Sequence, residues 1–378
     1  MIYLDNAATS FPKPADCLRR ALERYLDLGA SPGRGGYDRA IQAEAEVSAV
    51  RQRLARFFGA GENAQVCFAA NATDALNTLI LGLARPGDHV ISSRLEHNSV
   101  LRPLHHLEQQ GIISLDLLPF NGKGFIEPSQ VTARLGPATR LVIITHASNV
   151  VGTIQPVAEI GAICRLHGVP LIIDAAQTAG CIPIKMREWG VQGLAFTGHK
   201  SLLGPTGIGG LVLAPDLHPL PSRFGGTGID SGNPLQPLLY PSRLEAGTIN
   251  LFGILGLSES LDFVEGRLDS LFSSEMQLLG QLQSGLQRLS RVWLYGADDA
   301  INHLPVLGCT VDGIAAADVG AILDGDFDIA VRTGLLCAPL VHKDFGTFEG
   351  GMVRFSLGPF TTENDIDTAV KAMTTIVG

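Results

Sequence analysis

The residues best able to do chemistry lie near the middle of the chain, at the ends of apolar runs. Asp174 ends the run LIID, Gln177 follows three residues later, and Lys200 stands in the block TGHKSLLGPTGIGG. A lysine amine can act as a nucleophile or a base. The block is not a Gly-Lys phosphate loop, because His199 separates the two residues, and its glycines do not form G-x-G-x-x-G.

A lysine and an acid at the ends of two neighbouring predicted strands fit the binding of a different cofactor. Pyridoxal phosphate takes a lysine for its covalent attachment and an acid that keeps its pyridine nitrogen protonated. We therefore interpret Lys200 and Asp174 as a candidate cofactor pair, although a single lysine is more often an ordinary surface side chain.

Two further segments place polar groups beside predicted strand ends. In FAANATDALN an apolar run leads into Asn71-Ala72-Thr73-Asp74 and then into a helical pattern, which offers backbone N–H groups and a hydroxyl to an anion. The same residues would also serve as a plain helix cap. In SRLEHNSVL, His97 follows the run HVISS, where an imidazole can stack on a flat ring or remain an ordinary polar side chain.

Short apolar runs that alternate with helical segments must position these residues. The runs are QVCFAA, HVISS, ISLDLLP, RLVIITHAS, VPLIIDAAQ, GLAFTG and GIGGLVLA. Continuous Val, Ile and Leu runs are typical of parallel strands that are buried on both faces. Such sheets bind ligands at the carboxyl ends of their strands.

The segments between these runs have helical periodicity. Predicted helices cover 38–58, ended by Gly59, and then 73–85, 99–111 and 157–168, with a helix-rich segment over 257–289. Thr362-x-x-Asp365 is a capping box that opens the last helix. We predict an α/β fold with a large doubly wound domain at 15–255 and a smaller domain made of 1–14 and 256–378.

Composition restricts the class of protein. The 378 residues are 46% hydrophobic and only 17% charged, which excludes a disordered chain. The net charge is −9 and the sequence has no basic cluster, which argues against nucleic-acid or anionic-membrane partners. The six cysteines form no C-x-x-C pair, so we expect no metal centre, and Cys67 and Cys309 are predicted to be buried. Without a signal peptide or a membrane-length apolar run, we expect a cytoplasmic protein.

The blocks together resemble the class V, fold-type I pyridoxal-phosphate enzymes, most closely the short-loop, SufS-like branch of the cysteine desulfurase and selenocysteine lyase family. In the family's order they are YLDNAAT, SPGRGG, ATDALN, LEHNS, SNVVGTIQP, IIDAAQ, FTGHKSLLGPTGIGGL, LEAGTIN, RTGLLCAP and VRFSLG. The resemblance covers nearly the whole chain. It implies a large domain with a mostly parallel seven-stranded sheet and a smaller C-terminal α/β domain.

The resemblance also implies roles for residues in the matched blocks. Lys200 would hold pyridoxal 5'-phosphate covalently, Asp174 would pair with its pyridine nitrogen, and Gln177 would hydrogen-bond its phenolic oxygen. His97 would stack on the ring and take part in catalysis. The remaining cofactor-binding residues would be Ala72, Thr73, Thr197 and His199, with Thr248 reaching the cofactor of a partner subunit.

The substrate side of the site is implied in the same way. Arg354 in VRFSLG would fork onto the substrate carboxylate, a geometry that a guanidinium supplies, with Asn149 and Arg332 as further substrate-binding residues. Cys337 in RTGLLCAP would be the sulfur-accepting nucleophile. Two leucines stand before Cys337, where many relatives carry His, and the short loop implies that a sulfur acceptor must approach the thiol.

The implied activity is the conversion of L-cysteine to L-alanine by a homodimer. The sulfur would remain as a persulfide on Cys337 for an acceptor protein, as in iron–sulfur cluster assembly. Three alternatives stay open: a selenocysteine lyase acting on L-selenocysteine, a class V aminotransferase or other lyase in which Cys337 is not essential, and a non-catalytic scaffold that keeps the cofactor.

Overall fold

The computed structural model describes residues 1–33, 35–296 and 302–378, so that Arg34 of the SPGRGG block lies outside the described residues. The helices are α1 (Ala15–Leu28), α2 (Asp38–Phe57), α3 (Ala72–Leu83), α4 (Asn98–Gln109), α5 (Pro128–Arg134), α6 (Val157–Leu166), α7 (Met186–Trp189), α8 (Leu251–Val264), α9 (Leu268–Gln287), α10 (Ala316–Phe327), α11 (Pro339–Asp344) and α12 (Glu363–Val377). The strands are β1 (Ile2–Tyr3), β2 (Gln65–Ala69), β3 (Asp88–Ser93), β4 (Ile113–Leu118), β5 (Thr139–Thr145), β6 (Leu171–Asp174), β7 (Val191–Thr197), β8 (Gly209–Leu213), β9 (Val292–Tyr295), β10 (Val306–Val311), β11 (Ile329–Ala330), β12 (Arg332–Gly334) and β13 (Met352–Ser356).

The largest sheet of the described chain has seven strands in the order β2-β8-β7-β6-β5-β3-β4. Strand β8 is antiparallel to both of its neighbours, whereas the other pairs are parallel. Each strand coincides with one of the apolar runs, and the central strand β6 is buried along its whole length, as expected of a strand covered by helices on both faces. The predicted mostly parallel seven-stranded sheet is confirmed.

The winding of this sheet places ligand-binding loops at one edge. Strand β4 is added on one side of β3 and strand β5 on the other, which creates the switch point where open α/β sheets bind ligands. The loops that leave the carboxyl ends of β3, β5, β6 and β7 carry His97, Asn149, Gln177 and Lys200, and Asp174 ends β6 itself.

A second sheet has four antiparallel strands in the order β12-β13-β10-β9. Helices α9, α10 and α12 pack against it around a separate core that includes Leu282, Leu323 and Phe355. The predicted capping box of Thr362 and Asp365 opens α12. Helix α8 packs into the core of the large sheet, and the domain division at 255 stays a prediction.

The N-terminal strip, residues 1–13, joins the two sheets. Strand β1 pairs in parallel with β11, and Asn6 Nδ2 donates to the carbonyl oxygen of Ser356 over 3.1 Å. Lys13 Nζ then donates to the carbonyl oxygen of His199 over 2.9 Å. The start of the chain therefore runs from the small sheet to the residue that precedes Lys200.

Burial separates the cysteines into two groups. Cys67 and Cys309 are buried, as predicted, and Cys17, Cys164 and Cys181 are buried too, whereas Cys337 is exposed. Within the described ranges, no helix has both the length and the apolar character that crossing a bilayer requires.

Candidate active site

A cavity of about 540 Å³ lies where the carboxyl edge of the large sheet meets the small sheet. It brings together the predicted site residues Ala72, Thr73, His97, Asn149, Asp174, Gln177, Thr197, His199, Lys200, Arg332, Cys337 and Arg354. Thr248 does not line it, and lies instead in a separate cavity beside Arg223 and Glu245. The sequence-predicted residues thus converge on one cavity, apart from Thr248.

Asp174 and Lys200 form the charged centre of the cavity. Asp174 Oδ1 accepts the backbone N–H of Ala176 over 2.9 Å. Burial raises the pKa of Asp174, while that N–H and the Lys200 charge oppose the rise. Burial lowers the pKa of Lys200 to about 8, which Arg354 reinforces and Asp174 opposes. Because this pKa lies close to neutrality, a far larger fraction of the amine is neutral and nucleophilic near pH 7 than in an ordinary lysine.

His97 begins α4 and is held there by Ser99. The His97 Nδ1 atom accepts the Ser99 backbone N–H over 3.0 Å, so a neutral ring carries its proton on Nε2. Burial, with the positive charges of Lys200 and Arg102, lowers the pKa of His97 to about 4. The Ser99 hydroxyl lies 2.8 Å from Thr73 Oγ1, which links the starts of α4 and α3. The ring is therefore neutral and fixed near pH 7.

The start of α3 and the end of β7 form the anion-binding end of the cavity. The Asn71 side chain caps α3 by accepting from Asp74 N over 3.0 Å, and the first N–H groups of a helix lack intrahelical partners. Thr197 Oγ1 and His199 Nδ1 are buried, and no described residue hydrogen-bonds to either atom. Burial without a partner is costly, so these groups, with Thr73, fit a bound phosphate.

Gln177 is oriented by the N-terminal strip. Its Nε2 atom donates to the carbonyl oxygen of Ala7 over 3.1 Å, and the side chain is buried. One amide hydrogen is therefore committed to the backbone, which fixes how the rest of the amide faces the cavity.

Arg354 is a buried cation at the small-sheet end of the cavity, with 3% of its side chain exposed. Its Nη1 donates to the Asn149 carbonyl oxygen over 3.0 Å and its Nη2 donates to Asp5 Oδ1 over 2.7 Å. Burial lowers the pKa of Arg354, while Asp5 opposes the change. No described residue accepts from its Nε, so the guanidinium retains donor capacity for a carboxylate.

Cys337 lies in the loop between β12 and α11. Leu336 and Cys337 have φ angles of 51° and 58°, a left-handed conformation that is strained for these residue types. Asn149 Nδ2 donates to the Leu336 carbonyl oxygen over 2.6 Å, and the Asn98 N–H donates to the Cys337 carbonyl oxygen over 2.8 Å. Two hydrogen bonds, one from the loop after β5 and one from the start of α4, thus hold a strained loop that presents an exposed thiol.

Sequence reasoning missed several residues that line the cavity or hold its lining residues in place. Asp5 stands in the matched block YLDNAAT, so the block itself was the available signal. Ser99 and Asn98 act through backbone and hydroxyl contacts that residue type alone does not reveal.

The cavity combines an amine-bearing lysine, a buried acid and an anion-binding helix start on a doubly wound sheet, which defines an α/β enzyme of fold type I. The aminotransferase class-V family matches residues 2–369, and the chain belongs to that family. Membership implies pyridoxal phosphate as the cofactor.

Three relatives illustrate the similarity. A probable cysteine desulfurase of Methanothermobacter thermautotrophicus is 32% identical over 100% of this chain and 95% of its own. A cysteine desulfurase of Dickeya dadantii is 31% identical over 99% of this chain and 91% of its own. The apo structure of a cysteine desulfurase from Thermococcus onnurineus NA1 superimposes with a TM-score of 0.90 at 30% identity, covering 100% of this chain and 94% of that one.

Proposed function

We propose that this protein is a pyridoxal-phosphate-dependent cysteine desulfurase, which converts L-cysteine to L-alanine and leaves the sulfur as a persulfide on Cys337. The observation that carries the proposal is that the exposed Cys337 lines the same cavity as Lys200 and Arg354. The full-length similarity to cysteine desulfurases supports it.

Several residues would hold the cofactor. Lys200 would bind it covalently, Asp174 would face its pyridine nitrogen, and Gln177 and His97 would contact its ring. Its phosphate would be held by the start of α3 at Ala72 and Thr73, together with Thr197 and His199. When bound, pyridoxal phosphate withdraws electrons from the substrate's Cα, so that bonds at Cα and Cβ become breakable.

Lys200 and Arg354 would divide the handling of the substrate. Arg354 would bind the α-carboxylate through charge-assisted hydrogen bonds and fix the orientation of Cα. Lys200, whose pKa is lowered to about 8, would then move the Cα proton as a general base. His97 carries its ring proton on Nε2 and would hold it toward the cavity.

Cys337 would complete the sulfur transfer. Its thiolate would attack the substrate sulfur, so that a new S–S bond forms as the Cβ–S bond breaks and the electron pair of that bond stays with Cβ. The proton of the substrate thiol would be added at Cβ, and Lys200 would return its proton to Cα, which completes alanine. The strained loop would keep the thiol at the cavity while the short connection to β12 limits its reach. We therefore propose that a sulfur-acceptor protein, as in iron–sulfur cluster assembly, approaches the exposed thiol. The cytoplasmic location and the SufS-like branch stay predictions.

A selenocysteine lyase is the second candidate, and the residue before Cys337 favours it. Leu336 is 8% exposed and packs into the large core, so it supplies no proton donor or acceptor beside the thiol. Selenium is a better leaving group than sulfur, and its departure from Cβ needs less help from a nucleophile.

Substitution of the thiol tests the proposal. Cys337→Ala should abolish sulfide release from L-cysteine while the visible spectrum of the bound cofactor is unchanged, and selenide release from L-selenocysteine should fall less. Cys17→Ala is the matched control, because that thiol is buried on α1 outside the cavity. Full sulfide release by Cys337→Ala would reject the desulfurase in favour of a lyase or aminotransferase. A cofactor that remained bound without any reaction of either amino acid would favour the scaffold.

A further inference from the structure

Two arginines of the small sheet face each other across neighbouring strands. Arg332 of β12 and Arg354 of β13 are directly opposite in the antiparallel register. Like charges in such positions repel each other and destabilise the strand pair. A compensating negative charge is therefore expected nearby.

Asp5 supplies that charge with both of its oxygens. Its Oδ1 lies 2.7 Å from Arg354 Nη2, and its Oδ2 lies 3.5 Å from Arg332 Nε. The Asp5 side chain is 14% exposed and that of Arg354 3%, so solvent screens this pair only weakly. We call these three residues the Asp5 cluster; its net charge is 2 − 1 = +1.

The other acidic and basic side chains of the cavity are committed to the cofactor. Among the described residues that line it, they are those of Lys200 and Asp174, which under the proposed function bind the cofactor covalently and face its pyridine nitrogen. The histidines His97 and His199 are neutral near pH 7, because burial lowers the pKa of each to about 4. The Asp5 cluster therefore determines the charge that these side chains present to a ligand.

We propose that Asp5 is a positioning residue that determines substrate specificity. It holds Arg354 in place for the α-carboxylate and limits the net charge of the Asp5 cluster to one positive charge. The cavity therefore selects amino acids that have no second negatively charged group. The proposal rests on the role of Arg354 in the proposed function. A single carboxylate neutralises the cluster, whereas a second carboxylate would stay uncompensated in a partly buried cavity.

The size of the cavity makes this selection effective. A volume of about 540 Å³ corresponds to a space roughly 10 Å across, so any second charge on a ligand lies within about one Debye length of the cluster. One charge at such a distance in a partly buried site changes binding by about tenfold.

A purely structural role for Asp5 makes a different prediction. The residue also forms a bridge with Ser356, so Asp5 could simply tie the N-terminal strip to β13. In that case any loss of the Asp5 side chain would weaken all ligands alike. A role in charge balance instead predicts that removing a compensating charge elsewhere in the cluster restores the selectivity.

The experiment uses L-asparagine and L-aspartate, which have nearly the same shape and differ by one charge. Calorimetry on the cofactor-loaded enzyme gives the ratio of the Kd for aspartate to the Kd for asparagine. Asp5→Asn should lower this ratio about tenfold, since the cluster gains a charge, and Arg332→Gln should raise it about tenfold. The double variant should return the ratio to within about threefold of the wild-type value, and Asp5→Glu should leave it near that value.

Several results would overturn the proposal. An unchanged ratio in both single variants would do so, as would a double variant that keeps the ratio of Asp5→Asn, or a wild type that binds neither amino acid. If Asp5→Asn alone does not fold, Arg332→Gln and the double variant decide together, because the Arg332 side chain is 55% exposed and tolerates substitution. The ratio should then be about tenfold higher in Arg332→Gln than in the double variant, and equal ratios would overturn the proposal. The same titrations in Cys337→Ala separate this proposal from the sulfur chemistry, since binding of these ligands needs no thiol.

Discussion

The side-chain amide of Asn149 donates to the carbonyl oxygen of Leu336 over 2.6 Å, across 187 positions of sequence. The backbone carbonyl of the same Asn149 accepts from Arg354 Nη1. A single residue in the loop that follows β5 therefore contacts both the loop of the candidate nucleophile and the candidate carboxylate-binding arginine. The position of the Cys337 loop relative to Arg354 therefore depends on this residue of the loop after β5.

Asn149→Ala should lower the kcat of sulfide release by about tenfold or more, because removal of a donor to a buried carbonyl costs about 1–3 kcal/mol and frees a strained loop. The cofactor spectrum should not change. Steady-state kinetics check this, with Asn149→Asp as the comparison. The Asp carboxylate cannot donate a hydrogen bond to the Leu336 carbonyl, so the kcat of Asn149→Asp should be as low as that of Asn149→Ala. A wild-type kcat in either variant contradicts the expectation.

Leu336→His should raise the rate of sulfide release near neutral pH, since it places a proton-transfer group beside Cys337. The gain could approach the ~10²-fold low end of general acid–base effects if proton transfer limits turnover. Leu336→Asn is the matched control, because Asn accepts the left-handed backbone as His does but does not titrate. An equal gain in both variants would assign the effect to relieved strain.

Glu275→Gln should stabilise the protein at alkaline pH. Burial on α9 raises the pKa of Glu275 to about 8, whereas the unfolded chain loses that proton near pH 4.5. Between these values the folded state binds more protons, so stability falls as pH rises. Removing the titration should add about 2 kcal/mol or more to the free energy of unfolding at about pH 8, and much less at about pH 5.

Urea unfolding at the two pH values measures this difference. Glu62→Gln serves as the control, because Glu62 is exposed. A gain of the same size at both pH values would indicate better packing in place of a lost ionisation.

Lys200→Ala should lose the yellow colour of the cofactor on dialysis, because no other amine among the described residues lines the cavity. Visible absorbance before and after dialysis measures the loss. Lys185→Ala is the comparison, since that side chain is exposed and paired with Glu188. Colour that survived dialysis in Lys200→Ala would remove Lys200 from its proposed role.

The protein should sediment as a homodimer, as the family resemblance of the Thr248 segment implies. Near that segment in sequence, Leu235, Leu238 and Leu239 have 74%, 72% and 73% of their surface exposed, a grouping typical of a protein contact. Leu238→Asp should weaken association. A wild-type monomer at micromolar concentration with full activity would contradict the expectation.

Sequence predicted the large sheet better than the small one, and the reason is physical. The central strands of the large sheet are buried on both faces, so they are continuous apolar runs such as LVIIT in β5 and LIID in β6. In the small sheet, β12 is only three residues long and begins with an exposed arginine, which leaves no apolar run to recognise.

Some residues of the candidate site could likewise be predicted from the sequence, and others could not. Lys200, Asp174 and Arg354 stand in blocks whose residue types indicate chemistry. Asp5 acts by lying between two arginines that are far away in sequence, and only the strand pairing of β12 and β13 brings those arginines together. The matched block YLDNAAT draws attention to Asp5, but the charge-balancing contact itself leaves no pattern along the chain.

The N-terminal strip has a consequence for synthesis on the ribosome. The hydrogen bond between Asn6 and Ser356 cannot form until Ser356, 350 positions later, has been synthesised. Contacts of such sequence separation form late and slow the folding of a chain. Residues of the N-terminal strip thus leave the exit tunnel long before β13 and are among the last to reach their native positions, so a nascent chain can complete the large sheet while the cavity is still open.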